Sequence, residues 1–366
     1  MVRHADRSRV RVLTVGARGD RASEPAGAPA EPSARPAALR RKAPDVRRIP
    51  AFGALRQPSI ALLDCLAPLE AMRFRPDVVL SAHIVVAPAA VAIRRLTGVP
   101  FVQYIHADET RARPRLARFA VSRADAIVAV SRHARDLALG AGAPPGRTHV
   151  IPPGVDPPEQ RPGEPSDEPA SPTTGEPIVL TVARLSARYK GHDVMVRALP
   201  RILERVPTAR WVVVGDGPLR PELERAAAAA GIEDHVRFEG ALADDRRDAW
   251  LRRADVFVMA SRLPAGGGGE GFGIVYLEAA VHGLPVVAGN VGGSLDAVAD
   301  GETGLLVDPA DPVAVGDAVA DLLVDRDRAQ ALGRAGAARA EGFAWPLIAR
   351  RVEDLLMHLA ASRSRR

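Results

Sequence analysis

Two carboxylates, Glu270 and Glu278, stand on either side of a glycine-rich turn in the segment GEGFGIVYLEA, residues 269–279. Ionised carboxylates accept hydrogen bonds and donate none, so acids at this spacing suit a ligand rich in hydroxyl groups. The uncharged run from Val256 to Ala260 predicts a strand just before the turn, and the pattern after it predicts a helix from about Gly273 to His282, stopped by Gly283. Backbone N–H groups of Gly271, Phe272, Gly273 and Ile274 then lie at a helix N-terminus, where the dipole and the unpaired donors favour a phosphate or another anion. Glu278 falls more than one turn into the helix, placed to accept from vicinal hydroxyls such as those of a ribose. The unit reads as a nucleotide-sugar site.

Two glutamates alone are ordinarily solvated. Here the helix carries Ile274, Val275, Leu277, Ala279, Ala280 and Val281, so little of it can face water, and an acid on a buried helix needs a partner. A second group of charges lies in LTVARLSARYKGHD, residues 180–193, where a strand runs into a loop bearing Arg184 and Lys190. Only two of the 50 basic residues are lysines, Lys42 and Lys190. A lysine kept in so arginine-rich a chain points to a compact ammonium acting as a point charge on phosphate, a task a planar guanidinium does not duplicate.

These groups need two frames to position them, and 366 residues suffice for two domains. Strands are expected at 10–15, 77–80, 100–105, 126–130 and 149–151, then at 177–182, 210–214, 236–238, 256–260, 285–288 and 304–307. Helical patterns alternate with them, which predicts two doubly wound, parallel-sheet α/β domains facing across a cleft. The first spans 1–155, with low-complexity residues 17–50 expected as a disordered loop. Residues 156–177, rich in proline and acids, read as an extended linker. The second domain spans 178–344. A final helix at 345–366 carries Leu347, Ile348, Val352 and Leu355 on one prospective packing face.

Residues 1–155 hold 25 Lys and Arg against 12 Asp and Glu, whereas the remainder holds 25 against 32. With 14 aromatic residues and no recognisable nucleic-acid module, the basic half is read as facing an anionic membrane surface, with no nucleic-acid partner. The opening residues lack the apolar run of a secretory signal, so the expected location is cytoplasmic and peripheral on the inner face of the plasma membrane. The single Cys65 excludes an internal disulfide framework. Asp325 and Asp327 form a D-x-D triplet read as solvated charge, so no metal site is expected.

Taken in order, VARL and KG at 182–191, VVGDGP at 213–218, VRFEG at 236–240, the glutamates at 270 and 278, GLPVVAGNVGG at 283–293 and DGETGLLVDP at 300–309 resemble retaining glycosyltransferases of family 4. Nearest are the mannosyltransferases that act on phosphatidylinositol mannosides, through YIHADE at 104–109. The resemblance implies the GT-B fold and transfer of a hexose of mannose or glucose type from a GDP-sugar or UDP-sugar to a lipid or glycan acceptor. It implies no cofactor and no obligatory metal. Arg184 and Lys190 would hold the diphosphate, Glu270 the donor sugar and Glu278 the ribose. Gly271, Phe272, Gly273 and Ile274 would present amides to phosphate and sugar, the segment around Arg237 and Phe238 would border the base, and His106 would face the transferred sugar. His83 is a weaker cleft candidate, and His133, His192 and His282 are read as structural.

One departure stands out. VRVLTV followed by ARGDRASEPAGAP looks like the family's second strand and loop, so the first domain is expected to lack the opening strand, glycine-rich loop and helix. Two alternatives follow, a nucleotide-sugar binding remnant with little or no transfer, and a nucleotide-sugar epimerase of the same fold.

Overall fold

The computed structural model describes residues 11–16, 45–50, 56–156 and 175–364. Strand β1 (Arg11–Gly16) pairs in parallel with β2 (Asp45–Pro50). The strand at 45–50 corrects the expectation of an irregular loop through residue 50: Val46 and Ile49 give this stretch the apolar content that the Pro/Ala-rich residues before it lack. Residues 17–44 of that expected loop lie outside the described residues, as do 157–174 of the expected linker.

Four parallel strands make the first main sheet: β3 (Val79–Ser81), β4 (Phe101–Ile105), β5 (Ala126–Ala129) and β6 (Thr148–Val150), in that spatial order. The second holds β7 (Ile178–Val182), β8 (Arg210–Val214), β9 (Val236–Gly240), β10 (Val256–Met259), β11 (Val286–Gly289) and β12 (Gly304–Val307). Its order is β12, β11, β10, β7, β8, β9, all parallel. Strands such as IVLTV, VFVM and VVAG carry no charge and are almost wholly apolar because helices cover both faces of such a sheet.

This order matters for the site. The chain winds outward in one direction from β7 and in the other from β10, so these two neighbours form the topological switch point, and the loops leaving their C-terminal ends diverge to open a crevice. Those are the loops that carry Arg184 and Lys190 on one side and Glu270 on the other.

The helix Trp345–Ser364 returns to the first sheet, packing Ile348 and Val352 against Val102, Ala126, Val128 and Ile151. Leu347, expected on that face, is exposed, since its neighbour Ile348 takes the buried position and the helix turns Leu347 away. Where this helix begins, the Trp345 N–H donates to the Val155 carbonyl at 3.1 Å, and a Cβ on Gly154 would meet the Trp345 ring at 2.5 Å.

Candidate active site

The glycine-rich turn ends in a shorter helix than the pattern suggests, Ile274–Ala280, capped by Val281. Gly273 precedes it at φ +83, a left-handed conformation that glycine adopts without a Cβ penalty. Val275, Tyr276, Leu277, Ala279 and Ala280 are buried, and the Tyr276 hydroxyl donates to the Met259 carbonyl at 2.9 Å, fastening the helix to the end of β10. The Gly293 N–H donates to the Glu270 carbonyl at 3.0 Å, so the GNVGG stretch after β11 fixes the backbone that presents Glu270.

Lys190 and Glu270 form an ion pair, with side chains 19% and 14% exposed. Three features bring the ammonium there. Gly191 follows it at φ +81, and a Cβ at that position would lie 2.2 Å from the Ala260 carbonyl oxygen, so the loop can approach β10 only through a glycine. The Arg262 N–H donates to the Tyr189 carbonyl at 2.8 Å, tying the two loops together. The Arg262 guanidinium also donates to both oxygens of Asp193, at 2.9 and 2.8 Å. Neither Arg262 nor Asp193 stood out in the sequence, where each is one charge among many.

Tyr189 lies beside the pair, with the Lys190 ammonium 5.3 Å from its ring centroid. Burial and the charges of Glu270 and Asp108 push its phenol up to about 12, so it stays a neutral donor, and Arg184 acts on it in the opposite direction. Arg184 is thus within electrostatic reach of the cluster while remaining exposed.

Glu278 is held protonated to a higher pH than an ordinary glutamate, first by burial and also by Asp248 and Asp244, while the Arg247 guanidinium works against both. Arg247 sits on the helix Asp244–Arg253 and binds Asp244 at 2.9 Å and Asp248 at 3.1 Å. Its positive charge favours the ionised form of Glu278 through space. Its place inside the charge run DDRRDAWLRR gave no signal of that role.

On β9, Arg237 pairs with Glu239 and lies 5.5 Å from the Trp250 ring. Phe238 packs edge-on to Trp211 at 6.3 Å, with Arg220 5.8 Å from its ring on the other side. Phe238 is thus held in the sheet's own packing, while the Arg237 side chain stays 44% exposed beside it.

From the first domain, His106 leaves the end of β4 and meets the second domain at Gly271: a Cβ on Gly271 would lie 2.3 Å from the His106 carbonyl oxygen. The imidazole Nε2 is 3.0 Å from the Ala82 carbonyl, and the ring lies 6.1 Å from Tyr104 and 6.4 Å from His83. His83 itself caps a short 3-10 turn, its Nδ1 accepting from the Val85 N–H at 3.2 Å. Beside this contact the backbone N–H and guanidinium of Arg132 both donate to Asp296, at 2.9 and 2.8 Å, and His133 Nε2 is 2.9 Å from the Gly268 carbonyl. His133, read as structural, thus spans the two domains. His192 is buried with neither ring nitrogen hydrogen-bonded among the described residues. Asp325 caps the helix Arg326–Glu341 by accepting from the Arg328 N–H at 3.0 Å. Among the described residues no three His, Cys, Asp or Glu side chains are grouped to hold a metal ion.

Two parallel-sheet domains meeting over a cleft, with the charged cluster at the switch point of the second, define a GT-B glycosyltransferase. The family models agree on each half: Glycosyltransferase Family 4 matches residues 1–159 and Glycosyl transferases group 1 matches residues 176–325, and the chain belongs to this family. It is 41% identical over 242 residues to the GDP-mannose-dependent alpha-(1-6)-phosphatidylinositol monomannoside mannosyltransferase of Mycobacterium tuberculosis, covering 63% of this chain and 61% of that protein. The D-inositol 3-phosphate glycosyltransferase of Acidothermus cellulolyticus is 38% identical over 277 residues, 68% of this chain and 59% of that protein. The chain thus spans about three fifths of the length of these curated relatives. Among solved structures, Anabaena Alr3699/HepE in complex with UDP-glucose superposes with a TM-score of 0.72 at 22% identity, over 86% of each chain. Sucrose-phosphate synthase from Thermosynechococcus elongatus gives 0.73 at 24% identity, over 83% of this chain and 79% of that one.

Proposed function

We propose that this protein transfers mannose from GDP-mannose, with retention of anomeric configuration, to an acceptor that carries an inositol phosphate. The observation that carries the reading is the Lys190 and Glu270 pair at the switch point, with His106 brought against the next residue, Gly271. Lys190 and Arg184 grip the donor diphosphate and stabilise the charge that develops on the leaving group, without an obligatory metal. The amides of Gly271 to Ile274 face phosphate and sugar, Glu270 accepts from the sugar hydroxyls, and Glu278 accepts from the ribose. In transfer the acceptor hydroxyl attacks the anomeric carbon as its bond to the diphosphate oxygen breaks, and the departing phosphate takes the hydroxyl proton.

The relatives named above support the donor and the inositol phosphate, and the first domain supports an anionic acceptor. Arg111, Arg113, Arg115 and Arg118 are all exposed just after His106, a basic ridge whose first member, Arg111, lies beside Gly266 and Gly268 of the second domain. Such a ridge suits a lipid head group at an anionic membrane surface, reached from the side, because no helix among the described residues is long and apolar enough to cross a membrane.

A second acceptor, free D-inositol 3-phosphate, is favoured by the relative from Acidothermus cellulolyticus. Radiolabelled GDP-mannose and UDP-glucose, each incubated with phosphatidylinositol monomannoside in vesicles and with D-inositol 3-phosphate, decide among these outcomes. Label in the lipid fraction supports the first acceptor and label in a soluble glycoside the second. Nucleotide binding without turnover supports the binding remnant, and an isomerised sugar nucleotide formed without acceptor supports the epimerase.

A further inference from the structure

The chemistry above leaves Glu109 unused, although this carboxylate is only 7% exposed. One of its oxygens accepts the His106 N–H at 2.7 Å and the other accepts the Ala107 N–H at 3.1 Å. Ala107 has φ +154 and ψ −60, a conformation that costs an L residue free energy and persists only where the surroundings impose it. Its carbonyl is held as well, accepting the Thr110 hydroxyl at 2.5 Å and the Thr110 N–H at 3.1 Å. Both ends of the strained residue are therefore pinned from the one short helix, Asp108–Ala112. The turn is what aims the His106 carbonyl at Gly271 in the other domain.

We infer that Glu109 is a positioning residue for sugar transfer: its carboxylate holds the His106 and Ala107 turn in the strained form that closes the first domain over the donor sugar and keeps water from replacing the acceptor. A carboxylate that spends both oxygens on backbone amides fixes geometry and does no proton transfer. With the turn relaxed, water attacks the anomeric carbon in place of the acceptor hydroxyl; the bond to the diphosphate breaks in either case, but hydrolysis yields free sugar. The inference rests on the transferase reading, since it concerns how that reaction is partitioned.

The test compares wild type, Glu109→Ala and Glu109→Gln with GDP-mannose and phosphatidylinositol monomannoside vesicles, measuring mannose transferred and mannose released in one reaction. Their ratio does not depend on how much of a variant folds. In Glu109→Ala it should fall on the order of tenfold, the scale of a small displacement at a reacting centre. In Glu109→Gln it should fall less, because the amide oxygen keeps one of the two bonds. A ratio equal to wild type in both variants, however far total turnover drops, overturns the positioning role while leaving the transferase reading intact. A wild-type protein that binds GDP and neither transfers nor releases mannose overturns the transferase reading and this inference together.

Discussion

Lys190 and Glu270, eighty positions apart in the chain, neutralise each other across the loops that leave β7 and β10. In the reading above each has a different partner once donor is bound, the ammonium on phosphate and the carboxylate on sugar hydroxyls. On that reading the pair holds both groups near their working positions and is exchanged when substrate arrives. Replacing Lys190 by Ala removes a charge-assisted contact worth roughly 1.5 to 3 kcal/mol and should lower turnover at least about tenfold. Lys190→Arg should also lose activity, because a planar fork does not reproduce a point charge at this tightly approached loop. Steady-state kinetics on both variants check this, and unchanged kcat/KM in both would rule out the phosphate role.

Glu278 supplies a pH dependence with a definite sign. Burial raises its folded pKa above the unfolded glutamate value of about 4.3, so its contribution to stability is fully present below that value and lost as pH rises through the folded one. Glu278→Gln should therefore be more stable than wild type at pH 7, with the gain vanishing near pH 4. Donor binding should run the other way, weakening as acid protonates the carboxylate that the proposed function assigns to the ribose. Thermal melts and GDP titrations of both proteins across this range separate the two effects. A melting difference independent of pH would mean that Glu278 is not carrying charge at neutral pH.

Gly271 reports on the meeting of the domains. Since a Cβ there would lie 2.3 Å from the His106 carbonyl oxygen, Gly271→Ala should force the domains apart at the cleft. Transfer should fall at least about tenfold, in keeping with the cost of a small misplacement at the reacting centre. Affinity for GDP alone, which the proposed function assigns to the second domain, should change much less. Calorimetry beside the transfer assay measures both, and an equal loss in the two would place the damage within the donor domain instead.

The diphosphate charge is assigned to Arg184 and Lys190, so chelation should be harmless. Turnover in EDTA should match turnover in added magnesium or manganese, as measured by release of GDP. Activity abolished by EDTA and restored by one of these ions would overturn the metal-independent reading.

Much of this was legible in the residues because the signals were local. Buried parallel strands such as VFVM show as unbroken apolar runs, and Gly273 and Glu270 could be placed from a single turn. What escaped was pairing over distance. Arg247 as the counter-charge to Glu278, Arg262 on Asp193 and Arg132 on Asp296 depend on where separate loops converge, and an arginine-rich chain offers too many candidates for each. Glu109 escaped for another reason: its partners are backbone amides, which every sequence contains, and only the strained φ at Ala107 marks it. The strand at 45–50 was lost in the low-complexity stretch before it, whose proline and alanine content outweighed two apolar residues.

His192 gives a prediction about the fold rather than the reaction. It opens the helix His192–Arg205 directly after Gly191, 2% exposed, and burial lowers its pKa to about 4, with the charge of Lys190 acting in the same direction and Asp193 opposing. A depressed folded value means that its contribution to stability is present above the unfolded value of about 6.5 and is lost as pH falls through the folded one. The loss by pH 4 amounts to about 3 kcal/mol, a large share of a domain's total stability. His192→Leu, which keeps bulk at this buried position without a titrating group, should lack this loss. Urea denaturation at pH 7.5, 6, 5 and 4 should show the variant gaining on wild type as acid is added. Parallel pH dependence of the two proteins would mean that His192 finds a hydrogen-bond partner, such as an enclosed water, that supports its charged form.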